Sequence, residues 1–185
     1  MKNRYEGGDL VVESLINLGV KQLFSVSGGP LNSIYHAAAN NKLPIVHARH
    51  EAGAGFMAEA VSRITGIPGV AMVTLGPAVT NSVTTAFMAQ MAGSPLLIIG
   101  GQGNTKDFDR GANMQAKHVR IMTPVTKFAA RVLHTERIPE YIEMAWRHIW
   151  AGRPGPVFLE IPIDVLSAPA EPQAPATGVG TRSAS

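Results

Sequence analysis

A predicted strand passes into a predicted helix through the run His47-Ala48-Arg49-His50-Glu51-Ala52-Gly53-Ala54-Gly55. The apolar residues 43–46 before it predict a buried parallel strand, and helical periodicity predicts a helix over 51–65. The carboxylate of Glu51 has two interpretations at this junction. It either stabilises the helix N-terminus, whose N–H groups lack partners, or acts as an acid at the carboxyl end of a strand, where open α/β sheets bind ligands. Position alone favours the first, because most acids at such junctions only cap a helix.

Strands and helices are predicted to alternate along the whole chain. Apolar runs predict strands over 21–26, 43–46, 69–75, 95–100, 127–132 and 156–161. Helical spacing of apolar residues predicts helices over 10–18, 31–39, 51–65, 77–92, 116–122 and 138–150. Polar, glycine-rich residues 101–115 predict a loop. This alternation predicts an α/β fold, doubly wound, with a mainly parallel sheet of about six strands and helices on both faces.

The length of 185 residues predicts one domain with a tail. We expect the domain to span residues 7–166, because the alternating pattern ends there. After Leu166 the composition shifts to Ser, Ala and Pro, which cannot bury a core. Residues 167–185 are therefore predicted to be a linker or a disordered tail.

Composition and charge exclude several classes of protein. The absence of cysteine excludes disulfides and thiolate metal sites and is typical of a cytoplasmic protein. The net charge of +3 comes from scattered basic residues, which is not the pattern of a nucleic-acid-binding surface. No apolar stretch reaches the roughly 18 residues of a membrane span, and residues 1–8 lack the apolar core of a signal peptide. We expect a cytoplasmic protein without a nucleic-acid or membrane partner.

Other candidate motifs point to no site of their own. Residues 100–103, Gly-Gly-Gln-Gly, lead into no predicted helix, so a flexible loop is favoured over a phosphate-binding turn. His47 and His50 lack a third ligand at suitable spacing, which argues against a metal site. Ser27 follows the first strand and either caps the next helix or faces a ligand, and the cap is the favoured interpretation.

The predicted helix over 51–65 is rich in small residues. Gly53 and Gly55 each cost about 1 kcal/mol relative to alanine in a helix interior, so their presence suggests that another backbone or a ligand comes close. Packing within the domain core is the alternative.

Short segments spread along the chain form an ordered series. They are Gly8-Asp9-Leu10-Val11-Val12, Phe24 with Gly28-Gly29, Arg49-His50-Glu51-Ala52, Arg63-Ile64-Thr65-Gly66, Gly76-Pro77-Ala78-Val79-Thr80-Asn81, Ser94-Pro95-Leu96-Leu97, Pro124-Val125-Thr126-Lys127 and Gly152-Arg153-Pro154-Gly155-Pro156-Val157. Together they resemble the pyrimidine-binding, N-terminal domain of the thiamine-diphosphate enzymes of the acetolactate synthase and benzaldehyde lyase type. The resemblance covers residues 7–166.

The resemblance implies a cofactor and a role for Glu51. In this family, a glutamate at this position hydrogen-bonds N1′ of the aminopyrimidine ring of thiamine diphosphate and activates the cofactor for attack on a carbonyl. By their places in the motifs, Gly28, Gly29, Pro77 and Asn81 are expected to line the cofactor site.

Two further residues are expected on the substrate side, and the chain departs from the family near both. Ser27 stands where many members have proline or histidine, so the histidine's role is not carried over. Gln115 resembles a family glutamine that reaches the active site, although its spacing to Pro124 differs. Ile163 stands where acetolactate synthases have lysine, which weakens that particular assignment.

The family's full enzymes bind Mg²⁺ and the diphosphate through a Gly-Asp-Gly…Asn-Asn motif, and the 185 residues contain no such motif. We therefore expect Mg²⁺ on a domain absent from this chain and no metal site in the chain itself. The expected partner is that magnesium–diphosphate-binding domain, in the same or another chain of a homo- or hetero-oligomer. Because active sites in this family form between subunits, the small-residue helix is expected to contact another chain at Gly55.

The expected function is the pyrimidine-binding half of a lyase or carboligase, a transferase of the acetolactate synthase type, that acts on 2-oxo acids or 2-hydroxy ketones. The chain is then a fragment or a split subunit, inactive without its partner domain. One alternative is a non-catalytic assembly partner or remnant domain of such an enzyme. Another is a nucleotide- or flavin-binding regulatory domain, against which the lack of a phosphate-binding motif argues.

Overall fold

Six parallel strands form one sheet, in the order β2-β1-β3-β4-β6-β5. The computed structural model describes residues 4–173. The strands are β1 Leu23–Ser25, β2 Ile45–His47, β3 Gly69–Val73, β4 Leu96–Gln102, β5 Phe128–Arg131 and β6 Pro156–Pro162. Every neighbouring pair in this order is parallel. The predicted α/β fold is confirmed.

Helices cover both faces of the sheet, as a doubly wound fold requires. They are α1 Gly7–Asn17, α2 Asn32–Asn40, α3 Glu51–Thr65, α4 Pro77–Asn81, α5 Val83–Ala92, α6 His118–Met122, α7 Ile138–Trp150 and α8 Ile163–Ser167. The helices predicted over 51–65 and 138–150 have the observed bounds. In the part of the chain that the structure describes, none of these helices is both long and apolar enough to cross a membrane.

One face, which we call the large-residue face, is covered by α1, α2, α7 and α8. Its helices contribute large side chains, such as Leu15 and Trp146, that are at most 1% exposed. They pack on sheet residues of the same side, among them Met72 and Leu159. Burial of large apolar side chains is the main favourable term in folding, so this face is a completed core.

The opposite face, the small-residue face, is covered by α3, α4, α5 and α6. Helices α3 and α5 contribute mainly alanine to its core, including Ala54, Ala58, Ala86 and Ala89. Phe24 and Phe158 of the sheet fill the space that these alanines leave. Small side chains let the helices approach the sheet and one another closely.

The strand order places a reversal between β1 and β3. The chain leaves β1 through α2 on one face to reach β2, and then returns through α3 on the other face to β3. The carboxyl ends of β1 and β3 therefore border a crevice of the kind in which open α/β sheets bind ligands. The segments after β1, β2 and β3 all begin at this end of the sheet.

The structure differs from the predicted elements at four places. The strand predicted as buried over 43–46 is β2, an edge strand in which Val46 is 37% exposed. The predicted loop at 101–115 begins later, because Gly101 and Gln102 pair with β6 and are buried. The predicted helix 77–92 breaks at Ser82, whose hydroxyl donates to Ala78 O at 3.0 Å and so competes with the helical hydrogen bonds. Helix α8 was missed.

The start of the predicted linker lies against the N-terminal segment. Gly7 N donates to Ala168 O, and Ala170 N donates to Tyr5 O. The remainder of the predicted tail, 174–185, lies outside the described residues, so the linker over 167–185 stays a prediction.

Candidate functional site

Glu51 is the first residue of α3, but the cap of this helix is its neighbour. His50 has extended backbone angles, and its Nδ1 accepts a hydrogen bond from Ala52 N at 3.2 Å. The Glu51 carboxylate turns instead to Asn81, whose Nδ2 donates to Oε2 at 2.9 Å. Glu51 is half-buried, and among residues 4–173 its Oε1 accepts no hydrogen bond. The acid thus presents one oriented, unengaged oxygen next to the crevice.

Asn81 owes its position to a tight turn after β3. Gly76 has a φ of 61°, and a Cβ there would lie 2.6 Å from Met114 O, so only glycine fits. Pro77 follows as the first residue of α4, where its fixed φ suits a helix start. Asn81 ends this five-residue helix and reaches across to α3.

The two glycines after β1 differ in their surroundings. A Cβ on Gly28 would lie 2.6 Å from the side chain of Thr74, which follows β3. Gly28 therefore lets the ends of β1 and β3 come together at the reversal of the strand order. A Cβ on Gly29 would meet no heavy atom within 4 Å, so this residue borders open space.

A chain of hydroxyl groups joins β1 and β3 beneath this turn. The buried Ser25 Oγ donates to Met72 O at 2.9 Å and lies 2.9 Å from Tyr35 Oη. Burial raises the pKa of Tyr35, so its hydroxyl keeps its proton and remains a donor. These hydrogen bonds tie β1 to β3 and to α2 near the carboxyl ends of the two strands.

Ser27 does not cap a helix, and that favoured interpretation was wrong. Gly28 occupies the cap position of the short turn Gly29–Leu31, without a side-chain hydrogen bond. Ser27 is exposed, and its Oγ lies 3.2 Å from His47 Nδ1. Because β1 and β2 pair in register at Ser25 and His47, the Ser27–His47 pair stands at the carboxyl ends of two adjacent strands. The sequence alone suggests His47 only as a metal ligand, not as a partner of Ser27.

Gln115 lies in a loop that packs on the Gly76 turn. It is half-buried, and its backbone N donates to Ala112 O at 3.1 Å. Met114 before it has a φ of 56°, an uncommon conformation for a residue with a side chain, and its carbonyl touches Gly76. Within the described residues no hydrogen bond joins Ser27 or Gln115 to Glu51.

The sequence reasoning missed a buried polar cluster next to this loop. Gln102, His118 and Glu160 are 0% exposed, and the Glu160 carboxylate accepts hydrogen bonds from Gln102 Nε2 at 3.1 Å and from His118 Nδ1 at 2.8 Å. A signal for it exists in the sequence, because Glu160 is an acid inside an otherwise apolar strand. A buried carboxylate requires partners, so that residue predicts a polar cluster whose other members the sequence does not name.

The described residues contain no group of three or more His, Asp or Glu side chains arranged to hold a metal ion. The chemistry available at the crevice is therefore that of one half-buried carboxylate with its amide donor, together with an exposed Ser–His pair. A carboxylate of this kind can hold or exchange a proton with a ring nitrogen.

Comparison with known proteins shows the family to which the chain belongs. The family described as "Thiamine pyrophosphate enzyme, N-terminal TPP binding domain" matches residues 5–121. Among curated relatives, 2-hydroxyacyl-CoA lyase 2 of Danio rerio is 44% identical over 160 residues, which are 86% of this chain and 26% of the relative.

Two acetolactate synthases are also similar. The catabolic enzyme of Raoultella terrigena is 36% identical over 164 residues, 89% of this chain and 29% of its own length. That of Bacillus subtilis (strain 168) is 34% identical over 167 residues, 90% of this chain and 29% of its own. The chain thus spans 26% to 29% of the length of these relatives. It belongs to the thiamine pyrophosphate enzymes, in which it corresponds to the N-terminal domain.

Proposed function

We propose that this chain supplies the pyrimidine-binding half of a thiamine-diphosphate-dependent lyase or carboligase, and that Glu51 is the acid that activates the cofactor. The proposal rests on the hydrogen bonding of the Glu51 carboxylate. Asn81 holds Oε2 at 2.9 Å, while Oε1 has no partner among residues 4–173. An oriented acid with one unengaged oxygen is what recognition of a ring nitrogen needs.

The residues around Glu51 fit an aminopyrimidine ring. Glu51 begins α3 after β2, Gly29 borders open space after β1, and the exposed Pro77 begins α4 after β3, so all three follow the carboxyl ends of neighbouring strands. When bound, thiamine diphosphate supplies a carbon nucleophile and an electron sink for carbonyl chemistry. The chain's own contributions are to hold the ring, to orient the acid through Asn81, and to share a proton at the ring nitrogen. Gly28 shapes the crevice by admitting Thr74.

Ser27, His47 and Gln115 are assigned to the substrate side. Ser27 and His47 form a donor–acceptor pair at the strand ends, where an imidazole can transfer a proton. Gln115 follows Met114, whose carbonyl packs on the Gly76 turn, the turn that leads into the helix ending at Asn81. Among the described residues, neither group is hydrogen-bonded to Glu51, in keeping with separate roles for cofactor and substrate.

The substrate class follows from the relatives and remains part of the proposal. Acetolactate synthases and 2-hydroxyacyl-CoA lyase 2 are both similar to this chain. Their names suggest carbon–carbon bond formation or cleavage next to a carbonyl, on 2-oxo acids, 2-hydroxy ketones or 2-hydroxyacyl thioesters. Ile163, where acetolactate synthases have lysine, favours the lyase side of this range.

The proposed partner is a magnesium–diphosphate-binding domain of the same or another chain. Large apolar side chains on α3 and α5 support a docking surface. We define the α3–α5 surface by Phe56, Ile64, Phe87, Met88 and Met91, which are 40%, 84%, 50%, 48% and 60% exposed. Exposed apolar side chains grouped on neighbouring helices mark interaction sites more often than scattered ones do.

The test is the rate of C2–H exchange of thiamine diphosphate in an assembly of this chain with a magnesium–diphosphate-binding domain. Replacing Glu51→Gln keeps the hydrogen-bonding shape but removes the exchangeable acid. We expect exchange to slow by at least about 10²-fold, the usual scale of an acid–base contribution. Glu143→Gln on α7, on the opposite face of the sheet, is the matched control. C2–H exchange in the assembly with this variant should proceed at the native rate.

Near-native exchange by the Glu51→Gln assembly would remove Glu51 from the mechanism. If that assembly formed normally and was as active as the native one, the chain would be a non-catalytic assembly partner, the alternative function. Cooperative unfolding of both variants, measured separately, shows that neither result is caused by misfolding.

A further inference from the structure

We infer that His118 is a positioning residue for the candidate site. Its ring fixes the position of the Gly76 turn relative to the loop that carries Gln115. The turn leads into α4, whose last residue, Asn81, contacts Glu51. The inference rests on the proposed roles of Glu51 and Gln115, and it names a residue outside the crevice that aligns the cofactor side with the substrate side.

The hydrogen bonds of His118 define its tautomer. His118 is 0% exposed, and its Nε2 lies 2.9 Å from Gly76 N. Because a backbone N–H can only donate, Nε2 must be the unprotonated nitrogen. The ring proton is then on Nδ1, which faces Glu160 Oε2 at 2.8 Å. His118 is therefore a neutral ring that accepts from the turn and donates to the acid.

Glu160 gives the ring this orientation. It lies on β6 and is 0% exposed, and its Oε1 accepts a hydrogen bond from Arg131 Nε on the neighbouring strand β5. A buried carboxylate is costly unless it is paired and fully hydrogen-bonded. The arginine and the imidazole N–H meet that requirement. A carboxylate behind a histidine fixes both the tautomer and the direction of the ring.

The same cluster also fastens the Gln115 loop. Gln102 Nε2 donates to Glu160 Oε2 at 3.1 Å and to Ala116 O at 3.0 Å. Ala116 is the residue after Gln115. On the other side of Gln115, the Met114 carbonyl packs against Gly76, where a Cβ would lie 2.6 Å away. The loop is thus held at both neighbours of Gln115.

The position of the Gly76 turn determines the position of the Glu51 carboxylate. The turn leads directly into the five-residue helix α4, whose last residue, Asn81, donates to Glu51 at 2.9 Å. A short helix has little stability of its own, so its direction depends on how its first turn is anchored. His118 provides a side-chain anchor at the Gly76 N–H.

A purely structural role makes a different prediction. Leucine has a similar volume but removes a hydrogen-bond partner from Glu160 and from the Gly76 N–H. His118→Leu should therefore lose stability under either role, and stability alone does not separate them. If His118 only fills the core, leucine should preserve the site. If it aligns the turn, leucine should disturb Asn81 even where the fold persists, and glutamine should restore it, because its amide can accept from Gly76 and donate to Glu160.

The first experiment is nitrogen NMR of the histidine rings in the full 185-residue chain. We expect His118 to be neutral with its proton on Nδ1, and its Nε2 to show a hydrogen bond from the Gly76 amide. A proton on Nε2, or a charged ring at neutral pH, would overturn the inference. This measurement needs no variant and no cofactor.

The second experiment compares His118→Leu with His118→Gln in the full chain, with His134→Leu, at an exposed histidine, as the control. The readout is hydrogen exchange of the Asn81 side-chain amide. We expect about fivefold faster exchange in the leucine variant, the factor that one hydrogen bond of ordinary net strength supplies, and near-native exchange in the other two. Unchanged Asn81 exchange in a folded leucine variant would contradict the inference. If the leucine variant does not fold, a folded glutamine variant that loses the native Gly76 amide shift would also contradict it.

A functional readout separates this inference from the proposed function. In the assembly with a magnesium–diphosphate-binding domain, His118→Leu should slow C2–H exchange about fivefold, and His118→Gln should restore it. If Glu51→Gln leaves that exchange unchanged, the proposed function fails while the NMR results on His118 stand. If Glu51→Gln slows exchange but His118→Leu does not, the inference fails alone.

Discussion

The two faces of the sheet are built differently. On the large-residue face, helices such as α1 and α7 bury Leu15 and Trp146 almost completely. On the small-residue face, α3 and α5 bury alanine and leave Phe87 50% and Met91 60% exposed. Single exposed apolar residues are ordinary, but Phe87 and Met91 on α5 are accompanied by the exposed Phe56 and Ile64 on α3, the helix that Glu51 begins. The difference teaches that one face completes the fold, whereas the other leaves apolar surface exposed, which supports the proposed docking of a partner domain.

The largest expected effect lies on the completed face. Trp146 on α7 is 1% exposed and among the largest buried side chains. Trp146→Ala should lower the free energy of unfolding by about 3–5 kcal/mol, because it removes a large apolar side chain and leaves a cavity. Urea denaturation measures it, and a loss below about 1 kcal/mol would show that this face is not the principal core.

The next effect tests why the other face uses small residues. The expected contact of α3 with another chain stays a prediction, whereas a Cβ at Gly55 on α3 would lie 2.7 Å from Thr85 Cγ2 on α5 of the same chain. Gly55→Leu should therefore destabilise the isolated chain by about 1–3 kcal/mol through overpacking. Gly53→Leu is the control, because a Cβ at Gly53 meets only Ala48, at 3.8 Å. Equal losses from both variants would count against the close packing of α3 on α5.

The smallest effect on stability belongs to the α3–α5 surface. Phe87→Ser combined with Met91→Ser should change the free energy of unfolding of the isolated chain by no more than about 0.5 kcal/mol per residue, as for other exposed sites. Association with the partner domain should weaken by about 1.5–3 kcal/mol for each side chain that becomes buried there. Sedimentation velocity measures the association. Ile16→Ser on α1, where the side chain is 36% exposed on the opposite face, is the control and should leave it unchanged.

The sequence predicted the parts of the fold that follow from periodicity. Helices over 51–65 and 138–150 and the six strands were found because their apolar spacing is regular. The prediction failed where tertiary contacts decide whether a residue is buried. Strand β2 is apolar yet lies at an edge, and Gln102 is polar yet buried because Glu160 and Ala116 accept its hydrogen bonds.

Only part of the candidate site was predicted, because contacts between residues distant in sequence determine the rest. Glu51 and Asn81 came from local motifs, and the structure brings them together at 2.9 Å. The partner of Ser27 could not be foreseen, since His47 reaches it only through the register of β1 with β2. His118 contacts Gly76 from 42 residues away in sequence, a separation that no local pattern encodes.

Calorimetric titration of thiamine diphosphate with Mg²⁺ into the 185-residue chain tests the half-site account most directly. Affinity for a diphosphate should come mainly from metal bridging and oriented donors, and the described residues contain no cluster for a metal ion. We predict cooperative unfolding of the chain, no Mg²⁺-dependent binding tighter than about 1 mM, and tight binding once a magnesium–diphosphate-binding domain is added. Tight, Mg²⁺-dependent binding by the chain alone would contradict the account, because the chain would then hold the diphosphate itself.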